Sequence, residues 1–167
     1  MKKSLLLLVV AIFTFTTAFE ASAKWTDRNT FGLKGPVKAV YENGSDYESL
    51  SFHENGEIIF EGDPDIYWAT IERDKKGRII YMTMDGYTYN NKGQVTKTDH
   101  LGGHAEYTIK HIYNAKGHII KEIMNGTEGN YTTTYTYQKF DKYGNWIKRT
   151  AKTGKKRTVE TRTITYY

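Results

Sequence analysis

No cysteine occurs in the 167 residues, and that removes several kinds of chemistry at once. The chain can form no disulfide, offers no thiol nucleophile, builds no thiolate metal site and carries no lipidated cysteine. Serine is scarce after residue 24, with only Ser45, Ser49 and Ser51, and none sits in a Gly-x-Ser-x-Gly elbow. Proline appears twice. No stretch after residue 24 repeats its apolar residues with the 3.6-residue period of an amphipathic helix. Acid is missing at the C-terminal end, where Glu160 is the only carboxylate after Asp141.

The N-terminus has the layout of a secretory signal peptide. Lys2 and Lys3 give a positive start, Leu5 to Phe19 is uncharged and largely apolar, and Ala21-Ser22-Ala23 supplies small residues at −3 and −1. Fifteen residues span about 22 Å as a helix, short of the roughly 30 Å hydrocarbon core. We therefore expect a leader over 1–23, cleavage after Ala23, and one domain over 24–167 in the periplasm or the medium, with no lipid anchor. The formal charge of the whole chain is +5. Its excess lies in Lys148, Arg149, Lys152, Lys155, Lys156, Arg157 and Arg162. Such a basic C-terminal hairpin reads as an edge strand guarded against aggregation. It also reads as a peripheral contact with phosphate, anionic glycan or lipid headgroups of an envelope. Nucleic acid is not expected as the partner of an exported chain.

A short motif recurs through the domain: aromatic-Asx-x-x-Gly-x-(Ile/Val). Its copies are Phe52-His53-Glu54-Asn55-Gly56-Glu57-Ile58, Arg73-Asp74-Lys75-Lys76-Gly77-Arg78-Ile79, Tyr89-Asn90-Asn91-Lys92-Gly93-Gln94-Val95, Tyr113-Asn114-Ala115-Lys116-Gly117-His118-Ile119 and Phe140-Asp141-Lys142-Tyr143-Gly144-Asn145-Trp146. A degenerate copy, Phe31 to Val37, precedes them. The Asx side chain can accept the backbone N–H two residues on and so start a type I turn. Glycine then takes the left-handed conformation and closes the turn with a G1 bulge. The flanking aromatic and aliphatic residues become a cross-strand pair. Two copies depart, with His53 at the Asx position and Arg73 at the aromatic position, which suggests exposed hairpin mouths. Segments rich in Tyr, Thr and Ile lead into the turns, and Tyr131 to Tyr137 and Thr161 to Tyr167 alternate with period two. The expected fold is all-β: an antiparallel meander of about 10–12 strands, forming a single curved sheet or open roll.

The motif resembles the YD (RHS-type) repeat, whose core is Tyr-Asp-x-x-Gly-Arg-(Leu/Ile), with Asp74 to Ile79 and Phe140 to Trp146 carrying the likeness. Phe52 to Gly62 is also similar to a MORN-type variant repeat. Either resemblance implies β-hairpins. The first implies a small exported protein with a few such units rather than the large hollow shells of that family.

Candidate sites are few. His100 and His104 form the only close histidine pair and could hold zinc only with Asp99 or Glu106, which a glycine-rich loop does not pre-organise. No metal or other cofactor is expected. Asp63 and Asp65 flank Pro64 near Trp68, the best carboxylate pair for a glycan-active enzyme, although Gly62-Asp63-Pro64-Asp65 also reads as a turn. Fourteen tyrosines and three tryptophans make ring faces the most promising surface, through Trp68, Trp146, Tyr135 and Tyr137. The expectation is a non-catalytic protein that binds a protein or glycan. A small outer-membrane β-barrel and a glycan-active enzyme are the alternatives.

Overall fold

A computed structural model describes residues 25–59, 70–102 and 105–167. The leader with its cleavage point, Asp63, Asp65, Trp68 and His104 lie outside the described residues.

Twelve antiparallel strands form one sheet. They are β1 (Val37–Glu42), β2 (Leu50–Phe52), β3 (Ile58–Ile59), β4 (Ile71–Arg73), β5 (Ile79–Met82), β6 (Asp85–Tyr89), β7 (Val95–His100), β8 (Tyr107–Tyr113), β9 (Ile119–Gly126), β10 (Gly129–Phe140), β11 (Trp146–Thr153) and β12 (Lys156–Tyr166). The strand order is β3-β2-β1-β12-β11-β10-β9-β8-β7-β6-β5-β4. Consecutive strands are neighbours throughout, with one exception: β3 and β4 form the two edges, while the first strand pairs with the last. The C-terminal hairpin is therefore interior, and the expectation of a guarded edge strand is corrected: β12 is held by β1 on one side and β11 on the other.

The repeated turn forms as its chemistry demands. In copies two to five the Asx Oδ1 accepts two backbone N–H groups, two and four residues on: Asp74 from Lys76 and Arg78, Asn90 from Lys92 and Gln94, Asn114 from Lys116 and His118, Asp141 from Tyr143 and Asn145, all at 2.8–3.0 Å. The glycines sit at φ between +78° and +90°, and each N–H returns to the Asx-position carbonyl. The motif pairs fall opposite each other: Phe52 and Ile58, Arg73 and Ile79, Tyr89 and Val95, Tyr113 and Ile119, Phe140 and Trp146. A further regularity was not visible in the motif. Tyr89 donates its hydroxyl to the Ile79 carbonyl, Tyr113 to Val95 and Tyr137 to Ile119, at 2.6–2.7 Å. Each ring thus ties its unit to the aliphatic position of the unit before.

The degenerate copy is not a hairpin. Asp27–Thr30 is a single helical turn, α1, and the chain from Trp25 to Pro36 lies across the motif-turn end of the sheet. Asp27, only 1% exposed, accepts the Ile58 N–H of β3 at 2.9 Å and is gripped by both terminal nitrogens of Arg73 from β4, one of them at 2.8 Å. Twelve flat strands would place their edges roughly 50 Å apart at about 4.8 Å per strand. One carboxylate reaches both edges, so the sheet curls into an open roll clasped between β3 and β4. Arg28 donates to the carbonyls of Val37 at 2.7 Å, His53 at 2.7 Å and Glu54 at 3.3 Å. The turn that lacks its own Asx is thereby held from outside. The two departing residues, His53 and Arg73, are exposed, and their hairpins also carry clasp contacts: Gly56 is buried under Thr26, and Arg73 binds Asp27. Further along, Asn145 takes the Lys34 N–H and returns a bond to its carbonyl, both at 2.8 Å. Beneath the clasp, Leu33, Val37, Val40 and Phe52 form the buried core, with Phe31, Leu50, Ile58, Ile164 and Tyr166 against it.

Two glycines with the same backbone separate turn strain from clasp docking. Gly77 (φ +79°) faces open space, whereas a Cβ on Gly93 (φ +78°) would meet the Trp25 ring at 2.6 Å. Gly77→Ala should cost about 1 kcal/mol from the left-handed conformation alone. Gly93→Ala should cost clearly more and shift tryptophan fluorescence, and Asp27→Ala should cost about 2–3 kcal/mol because it strands a guanidinium and a ladder N–H. Urea unfolding of the three variants checks the order.

Candidate functional site

Strand alternation sorts β6 to β12 into two faces. The inward face of the roll collects Tyr87, His111, Tyr113, Glu122, Tyr135, Tyr137, Trp146, Arg149, Glu160 and Arg162. Three of the four aromatic residues expected to form a binding surface, Tyr135, Tyr137 and Trp146, are among them and meet.

A ladder of polar groups crosses this face strand by strand. Thr98 of β7 lies 2.9 Å from His111 Nε2 on β8. His111 Nδ1 lies 3.0 Å from Glu122 of β9, and the Tyr135 hydroxyl of β10 donates to the other Glu122 oxygen at 2.5 Å. A carboxylate beside Nδ1 places the proton there, so Nε2 of the neutral ring accepts the Thr98 hydroxyl. The Arg149 guanidinium of β11 stacks on Tyr135, 3.8 Å from its centroid, and donates to Glu160 of β12 at 2.6 Å. Arg162 of β12 donates to Glu42 of β1 at 2.9 Å. Trp146 has Arg149 at 4.1 Å and Arg162 at 3.8 Å from its ring centre. Both guanidiniums thus lie over the indole at cation–π distance.

Burial acts first on the Glu122 carboxyl and would raise its pKa. The donors His111 and Tyr135 and the charge of Arg149 outweigh burial and hold it below the usual carboxylate range. Burial and the Glu122 contact raise Tyr135. For Arg162, burial outweighs Glu42 and lowers the guanidinium. For Arg149, burial is outweighed by Glu160 and the group is raised.

A cavity of about 220 Å³ opens on this face, floored by Thr30, Phe31 and Gly32 of the clasp and walled by Tyr87, Tyr113, His111, Glu122, His118 and neighbouring residues. Two lining groups have no hydrogen bond among the described residues. One is the Tyr87 hydroxyl, which lines the cavity; the other, His118 Nε2, is the one that is fully buried without a partner. His118 stacks on Phe140 at 4.6 Å and lies 5.3 Å from the Tyr137 ring. Burial lowers its pKa, with Lys34 and Lys116 adding to that, against a hydrogen bond to the Gly144 backbone. The lowered pKa favours the neutral ring, whose Nε2 is left without a partner.

His118 follows the motif glycine of the fourth copy, a turn position that need not face inward. That position points into the roll here. No local signal marks it, because Arg78, Gln94 and Asn145 occupy the same position elsewhere. His100 binds Asp85 at 2.7 Å and stacks on Tyr107 at 4.6 Å. Among the described residues no group of three or more His, Asp or Glu gathers as a metal-binding set, and no helix is long and apolar enough to cross a membrane. No family model, curated protein or solved structure matches the chain.

Because the folded Glu122 pKa lies below its unfolded value of about 4.3, the unfolded chain takes up that proton first as pH falls. The stability from Glu122 is complete above roughly pH 5 and drains as pH drops through 4 toward the folded pKa. Glu122→Gln should therefore cost about 1–2 kcal/mol at pH 7 and much less at pH 3. Thermal unfolding of both proteins across that range checks the convergence.

Proposed function

We propose that this chain is a non-catalytic binding protein of the exported or envelope-associated class, and that its inward cavity receives a single sugar unit of a glycan. The observation that carries this reading is His118 Nε2, buried and unpartnered, in a cavity that the rings of Tyr87, Tyr113 and Tyr137 also line. Buried polar atoms in folded proteins are nearly always paired. A ligand hydroxyl that donates to His118 Nε2 would pair it, and Tyr87 supplies a second donor or acceptor. At about 220 Å³ the space is below the usual range of roughly 300–1,000 Å³ for larger ligands and suits one ring.

Recognition rather than reaction is favoured by how the charges are held. Glu122, Glu160, Glu42 and Asp85 each already have a basic or hydroxyl partner, so no carboxylate on this face is left poised as a free acid or base. Trp146 is already engaged, because two guanidiniums lie over its ring. The rings that remain for sugar contact are Tyr87, Tyr113 and Tyr137. The resemblance to YD-type repeats agrees with such a role for a short exported array. A membrane-spanning barrel is disfavoured by lysines on the outward face of β8 to β12, where lipid-facing positions need apolar side chains.

Titration of the protein with neutral monosaccharides, followed through the His118 ring resonances, tests the reading. Millimolar binding should shift those signals, and His118→Phe, which keeps the ring stack, should weaken binding about tenfold. The reading fails if no sugar moves the His118 resonances, or if His118→Phe binds as the native protein does.

A further inference from the structure

Every acidic side chain on β8 to β12 lies on the inward face: Glu122 and Glu160, both engaged in the ladder. The outward face of the same five strands carries Lys110, Lys121, Lys139, Lys148, Lys152 and Arg157, with no Asp or Glu. Among the described residues none of these six bases has an ion-pair partner. The register aligns them: Lys121 lies opposite Thr134, Thr134 opposite Lys152, and Lys152 opposite Arg157, in one row across β9 to β12. Lys139 stands opposite Lys148 beside that row. Cross-strand like charges are destabilising, so the arrangement costs the fold something. The usual reason for lysines on a sheet, protection of an open edge, does not apply, because β8 to β12 are all interior strands and the edges are β3 and β4.

We propose that this outward face is a binding surface for a linear acidic glycan. The charge selects a polyanion, and three features choose among polyanions. The face is convex, because the sheet curls until Asp27 reaches both edges. A flat bilayer would touch two or three strands of it, whereas a flexible chain can follow the row over four or five. The face bears no aromatic ring; its apolar side chains are Ile112, Ile123 and Val159. Single-stranded nucleic acid binders depend on ring platforms for the bases, and those are missing here. Finally, hydroxyls stand between the bases: Thr132, Thr134 and Thr136 on β10, Thr150 on β11, and Thr161 and Thr163 on β12. A glycan alternates charged groups with hydroxyls and can use both kinds of partner, whereas a bare polyphosphate has no use for the second. This surface lies on the opposite side of the sheet from the cavity, so either can fail without the other.

The test uses the full domain and alginate, a carboxylate polymer, with dextran as the neutral control. Alginate should bind at 50 mM salt and dextran should not. If about four bases neutralise polymer charges, raising salt from 50 to 200 mM should weaken binding by a few tens-fold, by analogy with counterion release from a flexible polyanion. Lys121→Glu with Lys152→Glu should weaken binding at least tenfold. Lys75→Glu with Lys76→Glu makes the same charge change on an exposed turn and should change binding less than threefold. If the reversal disturbs the circular dichroism spectrum, Lys121→Gln with Lys152→Gln should keep the same ranking. The proposal is overturned if alginate is not bound at 50 mM salt, or if both double variants lose binding equally. It is also overturned if vesicles containing phosphatidylglycerol, single-stranded DNA or inorganic polyphosphate bind more tightly than alginate.

Discussion

The roll depends on one buried carboxylate. A twelve-stranded sheet with free edges leaves unpaired backbone groups at both sides, the usual template for unwanted pairing. Here Asp27 takes the Ile58 N–H from one edge and the Arg73 guanidinium from the other. Because Arg73 is about a third exposed and Asp27 is not, the pair is desolvated mainly on the carboxylate side, where the ladder N–H adds a further bond. The curl that this contact requires also makes the inside of the sheet a cavity and the outside a convex surface. Both proposed binding surfaces are consequences of edges that meet without pairing.

The clasp and the ladder divide the stabilising work. At the motif-turn end, aliphatic burial around Val37, Val40 and Phe52 resembles an ordinary small core. Along the barrel-like body, the interior consists of tyrosines, guanidiniums and carboxylates joined side by side. Groups of that kind inside a protein are costly unless each one is paired. The ladder pairs nearly all of them. His118 Nε2 on this face is an exception, fully buried with no partner, which is why it attracts a functional reading.

Much of the construction could be read from the sequence because it is local. Asx, glycine and the aromatic–aliphatic pair lie within seven residues, and each copy formed the turn its side chains favour. The clasp could not be read this way. Asp27 to Thr30 is too short to show a helical period, and its partners Ile58 and Arg73 are some thirty and forty-six residues away. Arg73 and His53 stand out as departures; both side chains are exposed, and both positions also contact the clasp. Tyr135, Tyr137 and Trp146 were singled out for their rings and do meet, but the arginines that cover Trp146 looked like surface charge. The strand register puts them there: Arg149 lies opposite Tyr137 on one side and Glu160 on the other. The basic C-terminal hairpin was placed at an edge because it ends the chain, and only the pairing of β12 with β1 removes it from there.

That pairing gives the chain an order of assembly. Read from the N-terminus, β1 to β3 come first, yet the strand that joins them to the rest of the sheet comes last. Hairpins from β4 to β12 can close locally as they appear, at small entropic cost per loop. The β1–β12 contact must close a loop of more than a hundred residues, a step of high contact order and correspondingly slow. The first three strands can pair among themselves but join the rest of the sheet only when β12 is available, and a truncated chain lacking its final strand would hold every repeat and still have no roll.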